Sequence, residues 1–360
     1  MGSIMAYVAN MGVDTSGDFR LLRLETRGGG RLIFSPFFLA LALARIVIET
    51  LRGRLALVHV NLADGGSVYR KAAIVIMSRA VGTPVLLHIH AGRIVPFYNS
   101  RGRFGKWLIH TMVHSANHSM VLGRLWQDWL VYTFRVPRAS VSIVPNGVPA
   151  TTARHARRGD NRGFHLVFVG NLLRDKGVSD LLEAMAQPAL RDANVTLTLA
   201  GGGEIAYFRD MAERLGLSSR VFFTGWIDQT SVRETLVQAD ALVLPSYNEG
   251  LPLVVIEALA SRVPAICTPV GAVPEMLEDG RTALFIRPHD PDHLAATVVR
   301  LMNDPELNDR LTEEGYALYR RQFTMQAFMD RLSQAYAMLA PPSHPRAMAM
   351  PRRRATSRPS

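Results

Sequence analysis

Short apolar runs rich in β-branched residues alternate with stretches of helical periodicity over most of the chain, and this alternation limits the possible folds more than any other feature. The runs that predict strands lie at residues 55–60, 85–89, 119–122, 142–144, 165–169, 196–200, 221–224, 241–244 and 265–268. Strands that alternate with helices form parallel sheets covered by helices. We therefore predict an α/β fold.

A break divides these strands into two groups. A Pro-Asn-Gly turn at residues 145–147 is followed by a basic, polar stretch at residues 151–163. We expect two similar domains, residues 1–150 and 151–340, with a ligand in the cleft between them, because open α/β sheets bind ligands at the carboxyl ends of their strands. Residues 341–360, with five prolines and five arginines, predict a disordered basic tail.

Charge is distributed unevenly over the two halves. Residues 1–160 carry 20 basic against 7 acidic side chains, a net charge of +13, whereas residues 161–340 carry 16 against 23, a net charge of −7. A basic half suits an anionic membrane surface, a phosphorylated acceptor or a nucleic acid, although basic proteins without such partners are common. The single cysteine, Cys267, cannot form an internal disulfide, so we expect a reducing, cytoplasmic location.

Apolar stretches are too short to cross a membrane. No run reaches the roughly 18 to 20 consecutive apolar residues that a bilayer span requires, so we expect no transmembrane helix. The nearest candidate, residues 32–44, predicts a buried helix rather than one inserted in a membrane surface. Residues 101–108 interleave cations with aromatic side chains, which suits peripheral contact with an anionic membrane as well as a plain surface helix.

The strongest functional signal lies at residues 245–260, directly after the predicted strand at residues 241–244. A turn leads into a helix that we expect to begin at Pro252, because proline is favoured at the first helical position. The free backbone amides at a helix start, together with the helix dipole, attract an anion such as a diphosphate. The amides that we expect to bind it are those of Gly250, Leu251 and Leu253.

Two glutamates flank this helix start. Glu249 precedes the helix and Glu257 lies inside it, at a distance of roughly 8 to 12 Å along the helix axis. This separation suits one extended ligand, with a sugar at Glu249, a diphosphate across the helix start and a ribose at Glu257. The alternative is that Glu249 caps the helix and Glu257 faces solvent, but the apolar neighbours of Glu257 disfavour exposure.

With these glutamates the chain resembles the retaining glycosyltransferases of family 4, which have the GT-B fold of two facing Rossmann-like domains with an inter-domain cleft. The resemblance covers about residues 55–335 and rests on segments at residues 145–148, 168–171, 176–177, 200–203, 223–225, 245–260, 269–271 and 274–275. It implies transfer of a hexose from a nucleotide sugar, a UDP- or GDP-sugar, to the hydroxyl of a lipid-linked or polysaccharide acceptor, without a cofactor. By this resemblance Glu249 holds donor-sugar hydroxyls and Glu257 the ribose.

A cation follows the predicted strand at residues 165–169. Lys176 stands where a departing diphosphate gains charge, and stabilisation of developing charge is usually the largest catalytic contribution. Similar enzymes usually carry an arginine at the position of Asn171, so we expect Arg174, in the same loop, to supply the missing charge. The other donor contacts that the resemblance implies are those of Gly170, Trp226 and Ile227.

Two histidines end the predicted strand at residues 85–89. Strand alternation places His88 and His90 on one face. In similar enzymes an active-site histidine at the position of His90 faces the donor sugar and the acceptor, so the expected catalytic set is His90, Lys176 and Glu249. We expect His88 to be a core histidine with its hydrogen bonds satisfied.

The sequence does not predict a metal site. A zinc site at His88 and His90 lacks a third ligand nearby. Asp290 and Asp292 are better explained by helix capping, with Pro291 as the first helical residue. We therefore expect a metal-independent enzyme.

The N-terminus departs from the family pattern. Family members begin with a strand and a glycine-rich loop, whereas residues 1–8 resemble the end of that loop and residues 19–24 predict the second strand. The glycines at residues 28–30 are a possible substitute for the loop. A truncated, inactive glycosyltransferase is therefore one alternative.

Two other functions compete with glycosyl transfer. Sugar-nucleotide 2-epimerases share this architecture and need no acceptor. A nucleic-acid-binding protein would use the basic half and tail, but the motifs of such proteins are missing, so we expect no nucleic acid partner. The expected role is the synthesis of an exopolysaccharide or envelope glycan, in the cytoplasm or peripherally at the inner face of the plasma membrane.

Overall fold

The computed structural model describes residues 22–26, 34–63, 65–90, 92–151 and 163–340, and these residues form two parallel sheets. The strands of the N-terminal sheet, in the order β1-β2-β3-β4, are Val58–Leu62 (β1), Val85–Ile89 (β2), His118–Val121 (β3) and Val141–Ile143 (β4). The strands of the C-terminal sheet are Phe164–Val169 (β5), Val195–Ala200 (β6), Val221–Gly225 (β7), Ala241–Leu244 (β8), Ala265–Cys267 (β9) and Leu284–Phe285 (β10). The predicted α/β fold is confirmed.

Helices connect these strands. Those of the N-terminal half are Ser35–Leu51 (α1), Gly66–Ala80 (α2), Ile94–Asn99 (α3), Arg103–Ser115 (α4) and Arg124–Phe134 (α5). Those of the C-terminal half are Val178–Ala186 (α6), Pro188–Arg191 (α7), Ile205–Arg214 (α8), Gln229–Val237 (α9), Leu253–Ala260 (α10), Val273–Met276 (α11), Pro291–Asn303 (α12), Pro305–Gln322 (α13) and Met325–Leu339 (α14).

Strand order in the C-terminal sheet creates a crevice. The order is β10-β9-β8-β5-β6-β7, so the chain runs outward from β5 to β7 and then returns to place β8 beside β5. The connections after β5 and β8 therefore leave the sheet in opposite directions. This reversal opens a crevice at the carboxyl ends of the two strands, which is where sheets of this kind bind ligands.

The strands are apolar because helices or the other half cover their faces. All residues of β2, β3, β8 and β9 are buried, as expected for strands covered on both faces. Helix α14 returns from the C-terminal half to the N-terminal sheet, where Phe328 and Leu332 pack with Leu86, Met120 and Val144. This helix makes the two halves share a core.

Each of the nine predicted runs overlaps an observed strand, but one strand was not predicted. Strand β10 is two residues long, too short to produce an apolar run. Of the predicted strand at residues 19–24, residues 22–24 are described and form no strand, and residues 19–21 lie outside the described residues. The glycines at residues 28–30, the segment at residues 1–8 and the tail at residues 341–360 also lie outside them.

Helix α1 is buried on one face only, which corrects the prediction that residues 32–44 form a buried helix. Ala42 and Ile46 are buried, but the side chains of Phe37 and Leu51 are 61% and 80% exposed. The helix packs on α2 along one face only, so its other apolar face is exposed. Among the described residues, no helix is both long and apolar enough to span a bilayer.

Candidate functional site

Lys176 and Glu249 meet in the crevice of the C-terminal sheet. Lys176 follows β5 and Glu249 follows β8, and the two strands are hydrogen-bonded neighbours. Lys176 Nζ donates to Glu249 Oε1 at 2.7 Å, and the two side chains are only 23% and 14% exposed. Topology therefore joins two predicted catalytic residues in one partly buried ion pair.

Glu249 does not cap the following helix, so that alternative is wrong. Helix α10 begins at Leu253, and Pro252 is the residue before it, with an extended backbone at φ −69° and ψ 122°. No side chain of the described residues caps this helix. Because the first amides of a helix have no acceptor inside it, those of α10 can bind a ligand. The expected start at Pro252 was one residue early.

Gly177 sets the approach of the Lys176 loop to the Glu249 loop. Its φ is +66°, and a Cβ atom there would lie 2.0 Å from the carbonyl oxygen of Pro245. Only glycine allows both the left-handed backbone and this contact. The backbone of Tyr247 then donates to the Asp175 carbonyl at 2.9 Å, which ties the two loops together.

The buried carboxylate of Asp180 stabilises the loop that carries Glu249. Asp180 accepts from the Tyr247 hydroxyl at 2.8 Å and from the His289 amide at 3.0 Å. The Tyr247 ring stacks on the ring of His289 at 3.7 Å. Burial, together with Asp180, raises the pKa of Tyr247, so its hydroxyl remains a donor. These supporting residues were not predicted because they depend on contacts across the fold.

Glu257 is buried on α10, so the solvent-exposed alternative is wrong. Its side chain is next to α9, where Gln229 Nε2 donates to Glu257 Oε1 at 2.5 Å. Trp226 and Ile227 lie just before α9, with Trp226 exposed and Ile227 half-buried. The segments predicted to bind ribose and base are therefore neighbours. Gln229 was not among the predicted residues.

The cations around the Lys176–Glu249 pair are not arranged as expected. The Arg174 guanidinium lies 3.6 Å from Glu204 and stacks on the Tyr207 ring, on the side of α8, so it does not join Lys176. Asn171 is exposed, and the Gly170 amide donates to the Ala200 carbonyl at 2.9 Å. A cation that was not predicted, Arg93 of the N-terminal half, pairs with Asp175 beside Lys176 at 3.4 Å.

His90 follows β2, in the loop that contacts the Glu249 loop. A Cβ atom on Gly92 would lie 2.7 Å from the amide nitrogen of Gly250, so the two loops approach closely at this glycine. His90 Nε2 lies 3.0 Å from Asn61 Oδ1. Burial lowers the pKa of His90 to about 3, so its ring is neutral at physiological pH.

His90 belongs to a stack of three histidines, and the structure corrects the expectation for His88. The His88 and His90 rings are 3.8 Å apart, on one face of β2 as predicted, and His59 of β1 stacks at 5.4 Å on the other side. His88 is fully buried, and neither ring nitrogen has a hydrogen-bond partner in the part of the chain that the structure describes. It is not a satisfied core histidine, because α14 covers it with Phe328, which offers no donor or acceptor.

The carboxylates considered for a metal act in helix capping and surface contacts. Asp290 Oδ1 accepts from the His293 amide at 2.8 Å and caps α12, with Pro291 as the first helical residue, as predicted. Asp292 accepts from Gln187. Within the described ranges, no group of three or more His, Cys, Asp or Glu side chains could hold a metal ion.

Comparison with known proteins finds a family match in the C-terminal half and several glycosyltransferase relatives. Residues 152–318 match the family described as glycosyl transferases group 1. The α-D-kanosaminyltransferase of Streptomyces kanamyceticus is 27% identical over 281 residues, 72% of each chain. A glycogen synthase of Mycobacterium tuberculosis is 28% identical over 227 residues, 62% of this chain but 55% of the relative, so the chain spans about half of that protein.

A solved structure supports the fold. Anabaena HepE, in complex with UDP and glucose, superposes with a TM-score of 0.69 at 17% identity, over 83% of this chain and 82% of HepE. At that identity the likeness concerns the fold alone. The two parallel sheets, the crevice between β5 and β8 and the family match over residues 152–318 agree with one another. The chain therefore has the GT-B fold, and its C-terminal half matches the family described as glycosyl transferases group 1.

Proposed function

We propose that the protein is a retaining glycosyltransferase that moves a hexose from a nucleotide sugar to the hydroxyl of a lipid-linked or polysaccharide acceptor. Its role would be the synthesis of an exopolysaccharide or envelope glycan. The observation that carries the proposal is the Lys176–Glu249 pair in the crevice, with the start of α10 and the buried Glu257 beside it.

The donor would lie across the carboxyl ends of β5 and β8. Its diphosphate would bind the amides at the start of α10 and Lys176, its ribose Glu257, and its base the segment at Trp226. The HepE complex with UDP and glucose supports a UDP-sugar, with a GDP-sugar as the other candidate. Arg93, which pairs with Asp175 beside Lys176, would supply the positive charge that Asn171 lacks when a diphosphate competes with Asp175 for it.

Transfer breaks the bond from the anomeric carbon to the diphosphate oxygen and forms the bond to the acceptor oxygen on the same face. The acceptor proton passes to the departing diphosphate. Lys176 would stabilise the charge that develops there, a contribution of about 3 to 4 kcal/mol to the barrier. Glu249 would orient the sugar hydroxyls, with neutral His90 on the acceptor side. Since Lys176 and the helix start supply the positive charge, we expect turnover to survive a chelator of divalent cations.

Peripheral binding to an anionic membrane would bring this site to a lipid-linked acceptor. Phe104 and Trp107, at the start of α4, are 70% and 58% exposed, and Phe37 and Leu51 are exposed on α1. Helix α2 contacts both α1 and α4, so the three form one layer over the N-terminal sheet.

Phe37→Glu and Trp107→Glu should each reduce sedimentation with phosphatidylglycerol vesicles but leave phosphatidylcholine controls unchanged. Phe222→Glu, an exposed aromatic of the C-terminal half, is the matched control.

Thermal-shift binding tests the donor site. UDP, GDP, ADP and their sugar conjugates are added to the wild type, to Glu257→Ala and to the exposed-carboxylate control Glu306→Ala. One nucleotide should stabilise the wild type and the control, because a ligand that binds only the folded state raises its stability. That shift should disappear in Glu257→Ala. A folded wild type that no nucleotide stabilises would contradict the proposed donor site.

Turnover separates the competing functions. Glu249→Ala should abolish transfer while the variant remains folded, and undiminished turnover would refute the assignment. Conversion of the nucleotide sugar in the absence of any acceptor would indicate a 2-epimerase instead.

A further inference from the structure

Among the described residues, two buried polar atoms near the contact between the halves have no hydrogen-bond partner. They are His90 Nδ1, in the loop after β2, and Asn146 Oδ1, in the Pro-Asn-Gly turn after β4. Buried polar atoms in folded proteins nearly always have a partner, so two unpaired atoms at a candidate site need an explanation. They explain each other if one atom donates to the other.

The orientation of Asn146 is set by the opposite half of the protein. Asn146 Nδ2 donates to the Leu251 carbonyl at 3.1 Å, and the side chain is buried. A carbonyl oxygen only accepts, so the amide has to turn its nitrogen to Leu251 and its oxygen away from it. Asn146 Oδ1 therefore requires a donor, and no acceptor can replace that donor.

The His90 ring can supply this donor. Both residues lie against the same segment of the opposite half, because a Cβ atom on Gly250 would lie 3.5 Å from the His90 carbonyl oxygen and Asn146 Nδ2 donates to Leu251. The Asn146 side chain also raises the pKa of His90 against the larger effect of burial. A neutral imidazole carries one N–H, and here it has to be Nδ1–H. Nε2 then accepts, and this tautomer requires the Asn61 amide to present its nitrogen, in place of its oxygen, at the 3.0 Å contact with Nε2.

We infer that Asn146 is a positioning residue that holds His90 as the Nδ1-protonated tautomer and ties it to the loop that carries Glu249. Asn146 joins the two halves through one amide, with His90 at its oxygen and Leu251 at its nitrogen. The close fit of Gly92 on Gly250 places the same two loops in contact. The effect on turnover rests on the proposed function, whereas the tautomer does not.

Nitrogen NMR of histidine-labelled protein tests the tautomer directly. His90→Gln identifies the His90 signals in the wild-type spectrum. The wild type should show a protonated Nδ1 and an unprotonated Nε2. Asn146→Ala should lose this preference, and Asn146→Asp, which keeps an acceptor oxygen, should retain the protonated Nδ1. A wild-type His90 protonated at Nε2 would overturn the inference, and so would a tautomer that Asn146→Ala leaves unchanged. If Asn146→Ala does not fold, the tautomer of His90 in the wild-type spectrum still tests the inference.

Kinetics tests whether this contact positions His90 for turnover. Asn146→Ala should lower kcat about tenfold, the loss expected for one hydrogen bond, with the KM for the donor within about twofold. Its effect should not add to that of His90→Ala, because coupled residues give non-additive losses. Asn303→Ala, at an exposed asparagine, is the matched control. Additive losses would refute the coupling. A wild type without any activity would contradict the proposed function, and the NMR result would still decide the inference.

Discussion

Replacement of His88 by leucine should make the protein more stable and less sensitive to acid. His88 is fully buried between the rings of His59 and His90, and neither ring nitrogen has a partner among the described residues. Leucine has a similar volume and no polar atoms, so His88→Leu removes two desolvated nitrogens. An unsatisfied buried polar group costs about 1 to 3 kcal/mol, and the free energy of unfolding at pH 8 should rise by a similar amount.

The acid sensitivity follows from the pKa values of the three histidines. Burial lowers the pKa of His59 from 6.5 to about 4, with a contribution from Lys71, and that of His90 to about 3, and it lowers that of His88 well below 6.5. Below pH 6.5 the unfolded chain therefore binds more protons than the folded one. The stability from neutral histidines is fully present above pH 6.5 and is lost as the pH falls toward the folded pKa values.

At pH 5 each of these histidines should lower the free energy of unfolding by about 2 kcal/mol relative to pH 8, because the unfolded imidazole is almost fully protonated. The three together cost about 6 kcal/mol, which is comparable with the total stability of many proteins at about 5 to 15 kcal/mol. His88→Leu should remove about one third of this loss.

Urea unfolding at pH 5, 6, 7 and 8 measures the effect. The wild-type free energy of unfolding should fall steeply between pH 7 and pH 5, and the slope should be about one third smaller in His88→Leu. The control is His114→Leu, at an exposed histidine of α4. It should change the slope much less than His88→Leu does, because its exposed ring contacts His110 and lies outside the buried histidine stack. Equal slopes in the wild type and His88→Leu, with both proteins folded at pH 8, would refute the reasoning.

Three further predictions concern the loops and the contact between the halves. Gly177→Ala should lower the free energy of unfolding in urea by more than about 2 kcal/mol, because the added Cβ atom would collide with the Pro245 carbonyl. Gly216→Ala, at φ +71° with open space around it, should lower it by about 1 kcal/mol. Glu275→Gln should lower the free energy of unfolding by about 1 kcal/mol in the same assay. The Glu275 carboxylate accepts from the Arg124 and Leu125 amides and so caps α5 from the opposite half. An unchanged unfolding midpoint would contradict this prediction. Lys176→Met should lower kcat about 100- to 1000-fold, and Arg174→Met much less, so equal losses would argue against Lys176 as the catalytic cation.

Local patterns predicted most of the fold and part of the site. The apolar runs identified nine strands because each buried strand needs a run of apolar side chains on its own. Pro291 and Asp290 predicted the start of α12 because capping depends on residues three positions apart. Strand β10 and the exposed outer face of α1 were missed, since one has only two residues and the other depends on which helices pack against it.

The site itself depends on contacts between distant residues. Alternation placed His88 and His90 on one face of β2, but the loss of hydrogen bonds at His88 depends on α14, more than 200 positions away. The chemistry of Lys176 and Glu249 could be predicted separately, but not their ion pair. The same holds for the contacts of Arg93 with Asp175 and of Gln229 with Glu257.

The sequence by itself determined the elements of this protein, because periodicity, capping and turn formation act over a few residues. It also determined the types of side chain that stand at the ends of the strands. Only the tertiary structure decided which of these side chains meet. Lys176 and Glu249 form a pair because the chain returns β8 to the side of β5, and Asn146 reaches Leu251 because α14 and the loops bring the two halves together. These are long-range contacts, and their free energy comes from the packing of the whole chain.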